Sequence, residues 1–404
     1  MNIVYLGIGY PIKGDQNIYT DLMKTFIRYG HSVTVVCSDE TGIVSKENYT
    51  RDTENGINVI RVKTPGNVGN VSLIKKGIST IFEDYFFIRA VKKELSNEKF
   101  DLILCSTPPI TIINTILYLK RTNNAYVYLM LKDIFPQNAV DLGMIRNNGI
   151  VYKYFRSVEK KLYSNCDYIG CMSYANISYI IQHNKISEKK VGLCVNSFDS
   201  SVVIEQASRE TVHRELNIPN EAVVFLYGGS LGAPQGIDSL VAFLKKQSNY
   251  NDRFYIICGK GKEAWKIQNY LSEENPNNIL YIPWLEYEKF EALASVCDVG
   301  MILLNSRFTI PNFPSRLLTI MRHGMPVFSA TDVVTDIGTI AEKNGFGWSC
   351  VSSNIDQMCL VADEICKCKD KLHDMGKKAR DYFTQYYTTD ITYSQIVNNI
   401  VLER

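Results

Sequence analysis

Short apolar runs recur along the whole chain. They are Ile3 to Leu6, Val33 to Cys37, Asn58 to Val62, Leu102 to Cys105, Ala125 to Leu131 and Tyr168 to Met172, then Ala222 to Tyr227, Phe254 to Cys258, Ile279 to Ile282, Val299 to Leu304 and Pro326 to Ser329. Amphipathic stretches of helical length separate most of them, and that alternation predicts parallel strands with helices on both faces of the sheet. The alternation restarts near residue 222, after the polar, weakly periodic segment 195–210, which reads as a linker. Two Rossmann-like units are therefore expected. Open sheets of this kind bind ligands at the carboxyl ends of their strands, so the expected site is a cleft between the two units. The last stretch, Thr389 to Leu402, carries apolar positions at Ile391, Ile396, Ile400 and Val401 and reads as a closing helix.

Residues 71–95 stand apart. Ile74, Ile78, Ile81, Tyr85 and Ile88 form a helical stripe, widened by Phe82 and Phe86 and flanked by Lys75, Lys76, Arg89, Lys92 and Lys93. Two readings follow: a helix covering the sheet with its lysines in water, or a surface helix dipping into an anionic leaflet.

Composition narrows the class. At 404 residues, 46% hydrophobic and 21% charged, the chain is long enough for two ordinary domains. A formal net charge of +2 gives no general case for nucleic acid, so an anionic partner must meet a local patch. The N-terminus has no basic leader and no apolar stretch approaches the ~18 residues of a membrane span, so a cytoplasmic protein is expected. The cysteines sit mostly in strand-like runs, which suits reduced thiols. The tightest cluster, Cys359, Cys366, Cys368 and His373, lacks paired-ligand spacing, so no metal site is expected.

Four segments carry candidate chemistry. In GIGYPIKGDQN, Gly14 allows close approach of a ligand, and Asp15 or Asn17 can cap the helix that follows. Asp133 in LMLKDIFPQNAVDLGMI leaves the end of an apolar strand, where a carboxylate faces a ligand rather than the core. In YGGSLGAPQGIDSLVAF, a strand, a glycine turn and a helix succeed one another, a layout that aims backbone N–H groups and a helix N-terminus at an anion. In NSRFTIPNFPSRLLTIMRHGMPVF, Asn312 or Phe313 precedes a proline at a helix start, leaving the N–H groups of Ser315 and Arg316 free beside a guanidinium. A diphosphate fits between that helix end and the 229–236 turn.

The order of these segments, with GHSVTVV, DIFP, VNSFD, QGID, PSRLL and GMPV, resembles retaining glycosyltransferases of the two-Rossmann-domain (GT-B) type. Within them it is similar to the family 4-like branch that builds bacterial capsular and O-antigen polysaccharide. The resemblance covers nearly the whole chain. It implies an α/β fold with an acceptor-binding unit at 1–196, a nucleotide-sugar-binding unit at 197–383, and a closing helix at 384–404 that returns to the first unit.

It also implies roles. Gly229, Ser230, Gln235 and Gly236 match the donor-diphosphate turn, and Arg316 matches the basic residue at the second phosphate-facing helix, next to Asn312 and Ser315. Trp284 and Leu285 fall where such chains contact the nucleotide base. Gly14, Asp15, Gln16 and Asn17 match the loop that closes on donor and acceptor, and Asp133 matches a position near the reacting sugar. Many relatives carry an Arg and a Lys in the turn where this chain has Ser230 and Gln235. Many also carry a glutamate pair, the second contacting the ribose, where this chain has Pro311 and Thr319.

The reaction so implied is transfer from a nucleotide-diphosphate sugar, UDP-linked, to a lipid-linked glycan hydroxyl with retention, needing no cofactor. The leaving phosphate oxygen takes the acceptor's proton. Peripheral contact with the inner membrane face is a further expectation. The alternatives are a degenerate GT-B protein that binds a nucleotide sugar or a partner enzyme, and a nucleotide-sugar epimerase.

Overall fold

The computed structural model describes residues 1–11, 17–39, 42, 44, 48–64, 73–201, 207–248 and 250–401, with side chains of the helix that starts at 73 described from residue 82. The chain divides into two units, Met1–Asp199 with Thr389–Arg404, and Ser200–Thr388. The divisions expected from sequence are at 196/197 and 383/384.

In the first unit, strands β1 (Asn2–Gly7), β2 (Ser32–Ser38), β3 (Tyr49–Glu54), β4 (Ile57–Val62), β5 (Leu102–Ser106), β6 (Tyr126–Leu131), β7 (Tyr168–Cys171) and β8 (Val191–Leu193) form one sheet. Its order is β3-β4-β2-β1-β5-β6-β7-β8, with β3 antiparallel to β4 and the other pairs parallel. Helices α1 (Ile18–Arg28), α2 (Leu73–Glu94), α3 (Ile113–Asn123), α4 (Gln137–Asp141), α5 (Ile150–Asn165) and α6 (Tyr174–Asn184) connect the strands. The runs at β1, β2, β5 and β6 are continuously apolar because helices cover both faces. β3 reads YTRDTE and is half exposed at the sheet edge, so no apolar pattern announces it.

In the second unit, α7 (Arg209–Glu215), β9 (Val223–Gly228), α8 (Ile237–Gln247), β10 (Arg253–Cys258), α9 (Ala264–Glu274), β11 (Ile279–Ile282), α10 (Tyr287–Ala294) and β12 (Val299–Leu303) are followed by α11 (Arg316–Arg322), β13 (Val327–Thr331), α12 (Ile337–Lys343), β14 (Gly347–Val351), α13 (Ile355–Lys367) and α14 (Leu372–Tyr386). The sheet is parallel throughout, in the order β11-β10-β9-β12-β13-β14. Phe225, Tyr227, Tyr255 and Phe328 from its strands pack on Leu240 and Phe243 of α8 and Met358 of α13.

The closing helix α15 (Thr389–Val401) belongs to the first unit. Ile396 and Ile400 enter that unit's core beside Phe26, and Tyr393 stacks on Tyr29 at 4.1 Å between centroids. Asp390 accepts from Arg28 at 2.7 Å and from the Tyr29 hydroxyl at 2.9 Å.

α2 turns differently from its expected stripe. From residue 82 onward the buried side chains are Glu83, Asp84, Phe87, Ala90 and Val91, whereas Phe82 and Tyr85 are exposed. Two carboxylates on the inner face explain the difference. Glu83 accepts from Ser38 Oγ at 2.7 Å, and Asp84 caps the start of α3 through Thr115 N at 2.9 Å and Thr115 Oγ1 at 2.7 Å. No helix among the described residues is long and apolar enough to cross a membrane.

Candidate functional site

β9 ends in a turn that stays in register with its neighbour. Gly229 N donates to Cys258 O at 2.9 Å, and Leu231 N donates to Lys260 O at 3.0 Å, so the ladder runs past both strand ends. A Cβ on Gly259 would lie 1.8 Å from the Gly229 carbonyl oxygen, so only glycine permits that approach. Farther along, Gly232 N donates to Gln235 Oε1 at 3.2 Å, Gln235 N to Gly232 O at 3.0 Å and Gly236 N to Ala233 O at 3.3 Å. Asn305 closes this end by donating from its backbone N to Pro234 O at 2.8 Å and from Nδ2 to Ala233 O at 2.9 Å. The N–H groups of 229, 231, 232, 235 and 236 are thus engaged inside the fold. The sequence pattern suggested that this turn itself would donate to an anion; at these positions the backbone is already satisfied.

The charge comes from side chains. Arg316, the first residue of α11, lies against Gly229, where a Cβ would meet the guanidinium carbon at 3.1 Å. The guanidinium sits 4.8 Å from the Tyr227 ring centroid, and that ring is fixed by its hydroxyl donating to Ser230 O at 2.7 Å. Arg316 Nη1 is buried and has no hydrogen-bond partner among the described residues. A buried cationic donor without a partner is costly, and an anion placed beside it removes that cost.

The space beside it is a cavity of about 490 Å³. Of the residues singled out from sequence, Gly229, Ser230, Trp284, Leu285, Arg316 and Thr319 line it together. Arg316 and Thr319 share a helix face at i,i+3, and Trp284 stands 59% exposed after β11. Lys260 also lines the cavity, from the loop after β10, and makes no ion pair among the described residues. The sequence reading missed it. Its signal was the GKGK run after an apolar strand, which looks like any solvated loop.

Other candidates are occupied elsewhere. Gln235 and Gly236 belong to the end of the turn that Asn305 closes, away from the cavity lining. Asn312 donates from its backbone N to Thr335 Oγ1 at 3.1 Å and from Nδ2 to Ile310 O at 3.1 Å. Ser315 is exposed and gives α11 no side-chain cap. Asn17 caps α1, its Oδ1 accepting from Tyr19 N at 2.8 Å and Thr20 N at 2.9 Å. Gly14, Asp15 and Gln16 lie outside the described residues.

In the first unit, Asp133 leaves β6 as expected. Its Oδ2 accepts from Asn138 Nδ2 at 2.7 Å, and its carbonyl accepts from Thr107 Oγ1 at 3.1 Å. Burial pushes the carboxyl up to about 6, against the hydrogen bonds from Ile134 N–H and Asn138, which favour the ionised form. Beside it, Lys132 donates to Cys194 O at 3.1 Å and Val195 O at 3.3 Å, and burial lowers its pKa.

Residues 208–382 match the family model described as Glycosyl transferases group 1. The probable glycosyltransferase WbjE of Pseudomonas aeruginosa is 22% identical over 322 residues, covering 79% of this chain and 78% of that protein. The UDP-N-acetylglucosamine–N-acetylmuramyl-(pentapeptide) pyrophosphoryl-undecaprenol N-acetylglucosamine transferase of Acetivibrio thermocellus is 33% identical over 183 residues, 43% of this chain and 47% of its own length. Anabaena HepE, solved in complex with UDP-glucose, shares the fold at a TM-score of 0.70 and 12% identity, with 99% of each chain covered.

Proposed function

We propose that this chain, which shares the GT-B fold, is a glycosyltransferase that moves a sugar from a UDP-linked donor to a hydroxyl of a lipid-linked glycan, with retention, in surface polysaccharide biosynthesis. Arg316 carries the donor half of this reading: a half-buried side chain whose buried Nη1 has no hydrogen-bond partner among the described residues, at the wall of a cavity of about 490 Å³. HepE, which shares the fold, holds UDP-glucose. The acceptor half leans on the relative named for a pyrophosphoryl-undecaprenol substrate.

In this mechanism the bond from the anomeric carbon to the leaving phosphate oxygen breaks as the acceptor oxygen bonds to the same face of the sugar. The acceptor's proton passes to the leaving phosphate. Charge develops on the diphosphate, and preorganised cations there supply the largest catalytic contribution. Arg316 and Lys260 fill that role. Lys260 stands in for the turn cations that Ser230 and Gln235 replace, and the charge is supplied by side chains without a cofactor. Trp284 and Leu285 face the base, Thr319 takes the ribose position, and Asp133 orients a sugar. The protein works at the cytoplasmic face of the membrane, where such acceptors are held.

The test is incubation with a panel of UDP-sugars and a lipid-diphosphate sugar acceptor. UDP should appear only when donor and acceptor are both present. Tight UDP binding with no release for any pair would end the transferase reading.

A further inference from the structure

The first unit holds a groove of about 750 Å³ walled by the ends of α5 and α6 and by the loop from 185 to 190. It lies at the amino ends of β7 and β8, the opposite sheet edge from Asp133, which follows the carboxyl end of β6. Lys160, Lys161, Lys185 and Lys190 line it, and its lining holds no carboxylate. Of the neighbouring acids, Glu159 pairs with Arg156 and Asp167 with Lys120 at 2.7 Å, while Glu188 stands exposed in the loop outside the lining.

Cations collect at helix carboxyl ends for a structural reason, since free carbonyls there favour positive charge. Here other contacts meet that need. Lys120 donates to Asn165 O at 2.9 Å, Lys190 to Cys166 O at 3.2 Å, and Arg156 to His183 O at 2.8 Å. The Lys160 and Lys185 ammonium groups make no hydrogen bond or ion pair among the described residues. Four ammonium groups lining one groove repel one another, and a multiply charged anion relieves that repulsion. Ser187 adds a hydroxyl donor at the same wall, whereas the Ser164 hydroxyl donates to Lys161 O at 3.0 Å.

We propose that this groove is a second binding site, for a phosphate-bearing group, distinct from the donor cavity. Lysine ammonium groups act as point charges toward phosphate, and the volume exceeds the about 490 Å³ of the donor cavity, so a diphosphate or a phosphorylated headgroup fits. The groove stands off the reacting edge of the sheet, so it anchors the protein or a substrate without joining the chemistry.

The probe is inorganic pyrophosphate, titrated calorimetrically with UDP present to fill the donor cavity, against the wild type and a Lys160→Glu, Lys185→Glu double variant. Affinity should fall at least about tenfold in the variant, with UDP affinity unchanged. Equal pyrophosphate affinity in both proteins would overturn the site, whether or not the chain transfers sugar. A second arm sediments both proteins with phosphatidylglycerol and phosphatidylcholine vesicles. Loss of phosphatidylglycerol binding in the variant, reversed for the wild type by added pyrophosphate, assigns the site to a lipid headgroup. Loss of pyrophosphate binding alone assigns it to a soluble phosphate ester. Loss of vesicle binding with pyrophosphate affinity intact would replace the site by diffuse surface charge.

Discussion

The cavity at Arg316 and the strand end at Asp133 differ in what they lack. The Asp133 carboxylate has its hydrogen bonds, from Asn138 at 2.7 Å and from the Ile134 N–H, and what strains it is lost hydration. Arg316 has an aromatic neighbour but a buried Nη1 with nothing among the described residues to donate to. A cation missing a partner specifies the sign of its ligand, whereas a satisfied acid specifies only that its own charge is unwelcome. The second unit therefore speaks directly about a substrate, and the first does so only through pH.

The sharpest way to break this contrast is Arg316→Ala. Removing one preorganised donor from a charge-stabilising site costs on the order of a hundredfold in turnover. Initial-rate measurement of UDP release gives the number, and an unchanged rate would remove Arg316 from the diphosphate. Lys260→Met should lower kcat/KM by about tenfold, while Lys262→Met, outside the cavity lining, should stay within twofold of wild type. Equal losses in both would make the effect one of general surface charge.

The smallest effect concerns Asp133. Its folded-state pKa is raised from 3.8 to about 6, so the folded state holds this proton more tightly than the unfolded chain. The associated stability is present at low pH and is lost as pH rises from about 4 to about 6. Asp133→Asn should raise Tm by a few degrees at pH 7 and flatten that part of the pH–Tm curve. If the ionised carboxylate orients a sugar, wild-type kcat/KM rises with pH through about 6 and the variant lacks that limb. A variant with wild-type melting at every pH would show that the carboxyl is not strained by burial.

The strands with continuous apolar runs were legible because parallel sheets bury both faces, and those runs became β1, β2, β5, β6, β9, β10, β12 and β13. β3, β8 and β14 were not. β3 is polar at an edge, β8 is three residues long, and β14 is half-buried along most of its length. α2 misled through Glu83 and Asp84, whose burial depends on Ser38 and on the start of α3, partners far away in sequence. In the site, Arg316 was legible because a proline before a helix start exposes a cation near free backbone donors. Lys260 was not, since a lysine between glycines reads as surface until the cavity is seen. Asn17 and Gln235 show the converse, polar residues at turns that serve the chain's own N–H groups.

The placement of α15 bears on how the protein is made. Ile396 and Ile400 are 0% and 2% exposed inside a core otherwise built from the first 199 residues. During synthesis the leading unit must wait, with an uncovered apolar face beside α1, while the whole of the trailing unit emerges and folds. A ribosome that stalls before residue 389 leaves a product with one finished unit and one open wound, a natural mark for a chaperone or a protease.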